Sequence, residues 1–227
     1  TTWIHQHFGK FDSEKIVDGI MNRGLTLTDP TYKYYGMKRQ EILDTWSKNG
    51  ENASGAGTKM HYDIECFYNN IHNENNDIDF KYFLDFAKDN AHLKPFRTEW
   101  CVFNEDLKIA GSIDMLYENP DGTILIYDWK RVKNLEYEPK FIKYGLPKCL
   151  QKMPDTNFWH YTLQLNIYRS IIETKYKKRV SGMCLVCLHP ENYGKTYDVV
   201  DIPFLDKEIT DIIELRKTNM HDPGVGH

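Results

Sequence analysis

Three residues near the middle of the chain have the types and spacing to do chemistry together. Asp114 lies in Gly111-Ser112-Ile113-Asp114-Met115-Leu116, and thirteen residues separate it from Asp128 in Ile124-Leu125-Ile126-Tyr127-Asp128-Trp129-Lys130. Both runs are rich in β-formers, and the turn signal Asn119-Pro120-Asp121-Gly122 stands between them. They read as adjacent antiparallel strands that bring two carboxylates to one edge of a sheet. Lys130 is two residues beyond Asp128, so the period of a strand sets both on the same face. Two carboxylates a few ångströms apart repel, and a hard divalent cation between them relieves the repulsion. A cation with an ammonium beside it suits phosphodiester hydrolysis: the metal polarises the phosphate and lowers the pKa of a bound water, and the lysine orients or deprotonates that water. The plainer alternative is a salt bridge between ordinary strand positions. An uncompensated charge in a buried run costs several kcal/mol, so a carboxylate inside Ile-Leu-Ile-Tyr-Asp-Trp-Lys weighs toward a working set.

Asp114 followed by Asp128-Trp129-Lys130 on a β-meander resembles the PD-(D/E)XK nuclease superfamily. Three further features are similar to its RecB-like branch, which includes helicase-linked nucleases, CRISPR adaptation nucleases and the mitochondrial genome-maintenance exonuclease. Gly57-Thr58-Lys59-Met60-His61 is similar to the helical G-x-x-x-H motif. Glu99, in Arg97-Thr98-Glu99-Trp100, stands on the strand before Asp114. Gln164-Leu165-Asn166-Ile167-Tyr168 is similar to the Q-x-x-x-Y motif. The resemblance covers roughly Gly55 to Ile202, and Ile113 departs from the proline of the superfamily's name.

The resemblance implies the following roles. Asp114, Asp128 and His61 hold a metal, with the backbone carbonyl of Trp129 completing part of the shell, and Glu99 binds a second metal directly or through water. Lys130 is the catalytic lysine, and Gln164 and Tyr168 steady it or the nucleic-acid backbone. Glu65, one turn after His61, is either a support for it or a solvated helix residue. An imidazole among oxygens suits Mn²⁺ as well as Mg²⁺. The implied activity is a metal-dependent DNA nuclease, an exonuclease on single-stranded ends. The alternatives are an endonuclease on DNA or RNA, like the cap-snatching enzymes, and a catalytically silent nucleic-acid-binding module. Some members carry an iron–sulfur cluster. Here Cys184 and Cys187 have no third cysteine after them and sit in a strand-like run, so no iron–sulfur cluster is expected.

The elements that must position these residues follow from periodicity. Helices are expected from Ser13, as cap, to a stop near Gly24; from Met37 to Lys48, ending at Gly50; from Gly55 through Tyr68; and over Phe80 to Asn90. Three strands follow, Phe96 to Phe103, Lys108 to Tyr117 and Thr123 to Trp129. A long helix is expected over Asn157 to Tyr176, then strands Val180 to His189 and Thr196 to Ile202, and a last helix from Leu205 to Lys217 before a frayed Pro223-Gly224-Val225-Gly226 tail. The order of elements gives an α/β (α+β) class with one central sheet, and the resemblance implies a mixed β-sheet with an αβββαβ, restriction-endonuclease-like core and an N-terminal helical annex. Residues 1–92 form the helical part and 93–227 the catalytic core of one continuous domain, 1–227.

The connector from Arg131 to Lys152 carries six cations and two anions and interleaves Tyr137, Phe141 and Tyr144. Cations with aromatics suit a single strand, so Lys133, Lys140 and Tyr137 are candidate substrate contacts; the alternative is a solvated loop. The whole chain of 227 residues is slightly acidic, at −4, so a grip on a polyanion must be local. The composition, with 41% hydrophobic and 27% charged residues, is that of a globular protein. A mean hydropathy of −0.62 and no long apolar run give no membrane partner. Five scattered cysteines and no apolar leader fit an intracellular, reducing compartment. The expected partner is DNA, single-stranded, with a helicase, polymerase or primase conceivable in the same chain or complex.

Overall fold

The computed structural model describes residues 2–139 and 141–221. The chain divides into two compact units, Lys10–Lys59 and a larger one of Thr1–Gly9 with Met60–His227.

The larger unit is built on a five-stranded sheet in sequence order, β1 (Pro95–Asn104), β2 (Ile109–Glu118), β3 (Ile124–Lys130), β4 (Val180–Cys187) and β5 (Asp198–Asp201). All neighbours are antiparallel except β3 and β4, which run parallel because a long helix separates them in sequence, and the sheet is mixed. The fold is α+β. Among the described residues no helix is long and apolar enough to cross a membrane.

Side-chain alternation divides the core into two layers. Ile124, Ile126, Met183 and Leu185 pack with α6 (Asn157–Lys175), α7 (Asp206–His221) and the N-terminal turn α1 (Thr2–His5), which buries Trp3 and Ile4, with Phe8 just beyond it. Tyr127, Trp129, Cys184 and Val186 face the other way, onto Met60 and Ile64 of α4 (Arg39–Tyr68) and Phe80, Phe83 and Phe86 of α5 (Ile78–Asp89). Asp128 and Lys130 therefore fall on the α6 side of β3. Cys184 and Cys187 are both buried in β4, and their three-residue spacing turns them to opposite faces. Burial pushes both thiols up to about 12.

The smaller unit has its own core of Val17, Ile20 and Ile42 with Met21, Tyr34, Leu43 and Trp46 around it. Its α2 (Ser13–Asn22) is capped by Asp12, whose carboxylate accepts the Lys15 N–H at 3.0 Å, and not by Ser13. Gly24 does end that stretch, at φ +69°, and leads into a single turn, α3 (Leu25–Thr28), that periodicity did not show. The two helices expected on either side of Gly50 are one, α4. Gly50, Gly55 and Gly57 all keep negative φ, so none serves as a left-handed cap, and a helical glycine costs only about 1 kcal/mol against alanine. Lys108, expected to begin β2, instead takes a left-handed φ of +50° in the turn before it.

Candidate active site

The register of the sheet aligns the carboxylates. Thr98 pairs with Met115 and Trp100 with Ile113, which sets Glu99 opposite Asp114. The β2–β3 ladder stops at Met115–Tyr127, one step before Asp114 and Asp128. There β2 stays with β1 while β3 stays with β4, and the Trp129 N–H, freed from the ladder, donates to Asp114 Oδ2 at 2.8 Å. The splay thus opens beside a row formed by Glu99, Asp114 and Asp128. The Trp129 side chain is in the core, so any contribution of this residue to the site comes from its backbone.

His61, from the last turns of α4, leans into the row: its Nδ1 lies 3.5 Å from Asp114 Oδ2 and 3.7 Å from Glu99 Oε1. One ligand atom each from His61, Glu99 and Asp114 lies within 4.8 Å of the others. Asp128 is turned to Lys130, with Oδ2 and Nζ 2.5 Å apart and the carboxylate 4% exposed. The Lys130 ammonium also lies over the Tyr161 ring, 4.6 Å from its centroid. On the same face of α6, Gln164 Nε2 donates to the Tyr168 hydroxyl at 3.0 Å, so Tyr161, Gln164 and Tyr168 form one stripe at helical spacing.

Glu99 has φ +43°, in the left-handed region, although it is a strand residue without glycine's freedom. Such a conformation costs about 1–3 kcal/mol and persists only where the surroundings impose it. Here β1 on both sides is held in the ladder, and Ser112 Oγ donates to Glu99 Oε2 at 3.0 Å.

The electrostatics are lopsided. Three carboxylates face a single ammonium in this row, a deficit of two positive charges before His61 is counted. Burial, then the charge of Asp128, raises the Asp114 carboxyl well above the carboxylate range. Burial alone would lower the His61 imidazole, but Glu99, Asp114 and Asp128 outweigh it and raise the net value. Lys130 is likewise raised: desolvation opposes its charge, and Asp128 and Asp114 overcome it. Imidazole plus carboxylates lacking two charges is a donor set that fits a divalent cation, held by His61, Glu99 and Asp114 with the Asp128 carboxylate beside them.

The remaining described candidates, Glu65, Lys133 and Tyr137, are not among the groups of this cluster. Glu65 is half-buried one turn after His61. Lys133 pairs with Glu191, and Arg131 Nε donates to Asp79 at 2.8 Å, so the first two cations of the connector are already compensated. Tyr137 is half-exposed with its ring on Phe158. Lys140 lies outside the described residues. Sequence reasoning missed Tyr161 and Ser112. Tyr161 was within reach of it, three residues before Gln164 on an α-helix, whereas Ser112 and the φ of Glu99 depend on strand register and backbone geometry.

No protein-family model matches the chain, and no curated protein does. A solved structure from Eubacterium rectale, described as a "Putative exonuclease", is similar over 69% of this chain and 70% of its own, at 12% identity and a TM-score of 0.32. That likeness is too slight to assign a family or an activity.

Proposed function

We propose that this chain is a divalent-metal-dependent nuclease of the PD-(D/E)XK type that hydrolyses DNA phosphodiester bonds, trimming single-stranded ends. The observation that carries the reading is the row Glu99–Asp114–Asp128, with the His61 imidazole at one end and the buried Lys130 ammonium at the other. His61, Glu99 and Asp114 would hold a Mg²⁺ or Mn²⁺ ion, which would supply a Lewis acid for a phosphate oxygen and a bound water of lowered pKa.

The chain's own residues do the rest. Asp128 holds the Lys130 side chain in place, and the Tyr161 face supports the ammonium. The Lys130 ammonium, set by Asp128, binds and offsets charge on the phosphate. Gln164 and Tyr168 wall the same side, and Trp129 fixes Asp114 through its N–H. The preference for trimming from an end rests on the resemblance to the RecB-like branch.

The test is a time course on end-labelled single-stranded DNA with Mg²⁺, Mn²⁺ or EDTA, run beside Lys130→Ala. Shortening that needs metal and falls at least 100-fold in the variant supports the nuclease, on the scale of losing one preorganised charge. A covalently closed circle left intact distinguishes trimming from internal cutting. A folded wild type that leaves DNA untouched with either metal sinks the reading, and RNA or a silent binding role takes its place.

A further inference from the structure

A second feature lies on the same side of the sheet as Lys130. A groove of about 610 Å³ runs between the segment after β3 and the β4–β5 loop. Register ties it to the site: Lys130 pairs with Cys187, and Cys187 with Asp198, so the lysine and two lining residues share one row across β3, β4 and β5. With strands about 4.8 Å apart, the groove begins within roughly 10 Å of the lysine backbone. The Leu188 N–H donates to the Lys130 carbonyl at 2.9 Å and fixes the junction.

The lining decides what the groove can hold. Its walls are Val132, Leu135, Val199 and Val200, and its charges are Lys133, Glu191 and Asp198. Lys133 is paired with Glu191, which leaves Asp198 as the uncompensated charge of those three. A phosphate is repelled by such a lining; an uncharged planar ring is not. Two tyrosines stand at the rim. Tyr137 is held by Phe158 under its ring, 4.4 Å between centroids, and by Trp159 Nε1–H on its carbonyl at 3.1 Å. Tyr193 is wholly exposed, at 104%, on a loop that is itself fixed: the buried Asn192 side chain donates to Cys187 O at 2.8 Å and Thr196 O at 3.0 Å. An ordered loop that presents a bare aromatic ring at an apolar groove is a stacking platform without its partner.

We infer that this groove takes an unpaired nucleobase of the substrate strand, stacked on Tyr193 and Tyr137, while the adjoining phosphate lies at Lys130. The inference rests on the nuclease reading for the identity of the strand. It accounts for single-strand preference in physical terms, since a paired base has no free face to give to the groove.

The experiment compares wild type, Tyr193→Ala and Tyr193→Phe on a labelled oligothymidylate and on an abasic strand of the same length. Binding is read by anisotropy in EDTA and cleavage with Mn²⁺. One base stacked on an aromatic ring corresponds to a loss of roughly 5- to 100-fold. We expect Tyr193→Ala to weaken binding and raise KM by that factor with kcat little changed, Tyr193→Phe to behave as wild type, and the three proteins to be equal on the abasic strand. Equal affinity of wild type and Tyr193→Ala for oligothymidylate overturns the groove assignment, as does a deficit that persists without bases. Because binding is measured apart from cleavage, Tyr193-dependent binding without hydrolysis leaves the groove standing and removes the nuclease reading. Cleavage indifferent to Tyr193 does the reverse.

Discussion

At the scale of single residues, the site depends on the pairing of Lys130 with Asp128 at 2.5 Å, where the two side chains are 17% and 4% exposed. Removing one partner of a buried pair strands the other charge, at a cost of about 3–5 kcal/mol, whereas replacing both with neutral groups of similar shape is close to neutral. Lys130→Met should therefore lower the urea midpoint markedly in metal-free buffer, Asp128→Asn less because it also relieves the repulsion on Asp114, and the double variant should recover most of the loss while all three are inactive. Additive losses in the double-mutant cycle would show that the pair is not coupled as its geometry requires. Asp114, Asp128 and Lys130 were legible because the strand period and a short turn set them at one sheet edge, whereas His61 and Glu99 were expected only through the family resemblance. The compensation of Lys133 by Glu191 and of Arg131 by Asp79 was not, because each pair is separated by more than fifty residues and forms only once the chain has folded.

At the scale of elements, glycine marks where periodicity succeeds and fails. Gly50 followed an apolar-periodic stretch and so read as a helix end, yet α4 runs through it, because a cap needs a left-handed backbone that sequence position does not ensure. A Cβ placed on Gly55 or Gly57 meets nothing within 4 Å. Gly55→Ala and Gly57→Ala should accordingly stabilise the protein by about 0.5–1 kcal/mol each, read as higher urea midpoints. Gly145 is the opposite case. It is buried in the connector, its N–H donates to Met153 O at 3.0 Å, and an added Cβ would stand 2.5 Å from Leu150 Cβ and 2.7 Å from Leu150 O. Gly145→Ala should destabilise by roughly 1–3 kcal/mol, the range for overpacking. If both kinds of glycine shift stability the same way, close approach is not what separates them. The connector's fold was illegible for the same reason: it is set by contacts such as Tyr144 bridging Pro154, not by any period.

At the scale of the whole molecule, the antiparallel β1–β2–β3 meander and a central mixed sheet were expected from the sequence, but the route of the chain was not. Residues 1–9 belong to the larger unit although fifty residues of the smaller one intervene, and their weld is apolar: Trp3, Ile4 and Phe8 join the core over α6. No period announces nine residues as core, because burial there comes from contacts distant in sequence. His7 makes this weld sensitive to pH. It is 9% exposed, packs edge-on against Trp3 with 5.0 Å between ring centroids, and leaves Nε2 without a hydrogen-bond partner among the described residues. Burial first, and then the Arg216 charge, lowers its pKa from 6.5 to about 4. Between those values the unfolded chain binds the proton and the folded chain does not, so stability rises with pH across the window and is lost as pH falls from 6.5 toward 4. At about 1.4 kcal/mol per pKa unit, this contribution amounts to roughly 3.5 kcal/mol at most. His7→Phe keeps an aromatic ring against Trp3 and has nothing to protonate. The difference in unfolding free energy between wild type and His7→Phe should therefore be flat above pH 6.5 and swing in favour of the variant as pH drops to 4.5. A difference independent of pH across that range would mean that His7 binds its proton equally in the folded and unfolded chains and that the N-terminal weld is open to water.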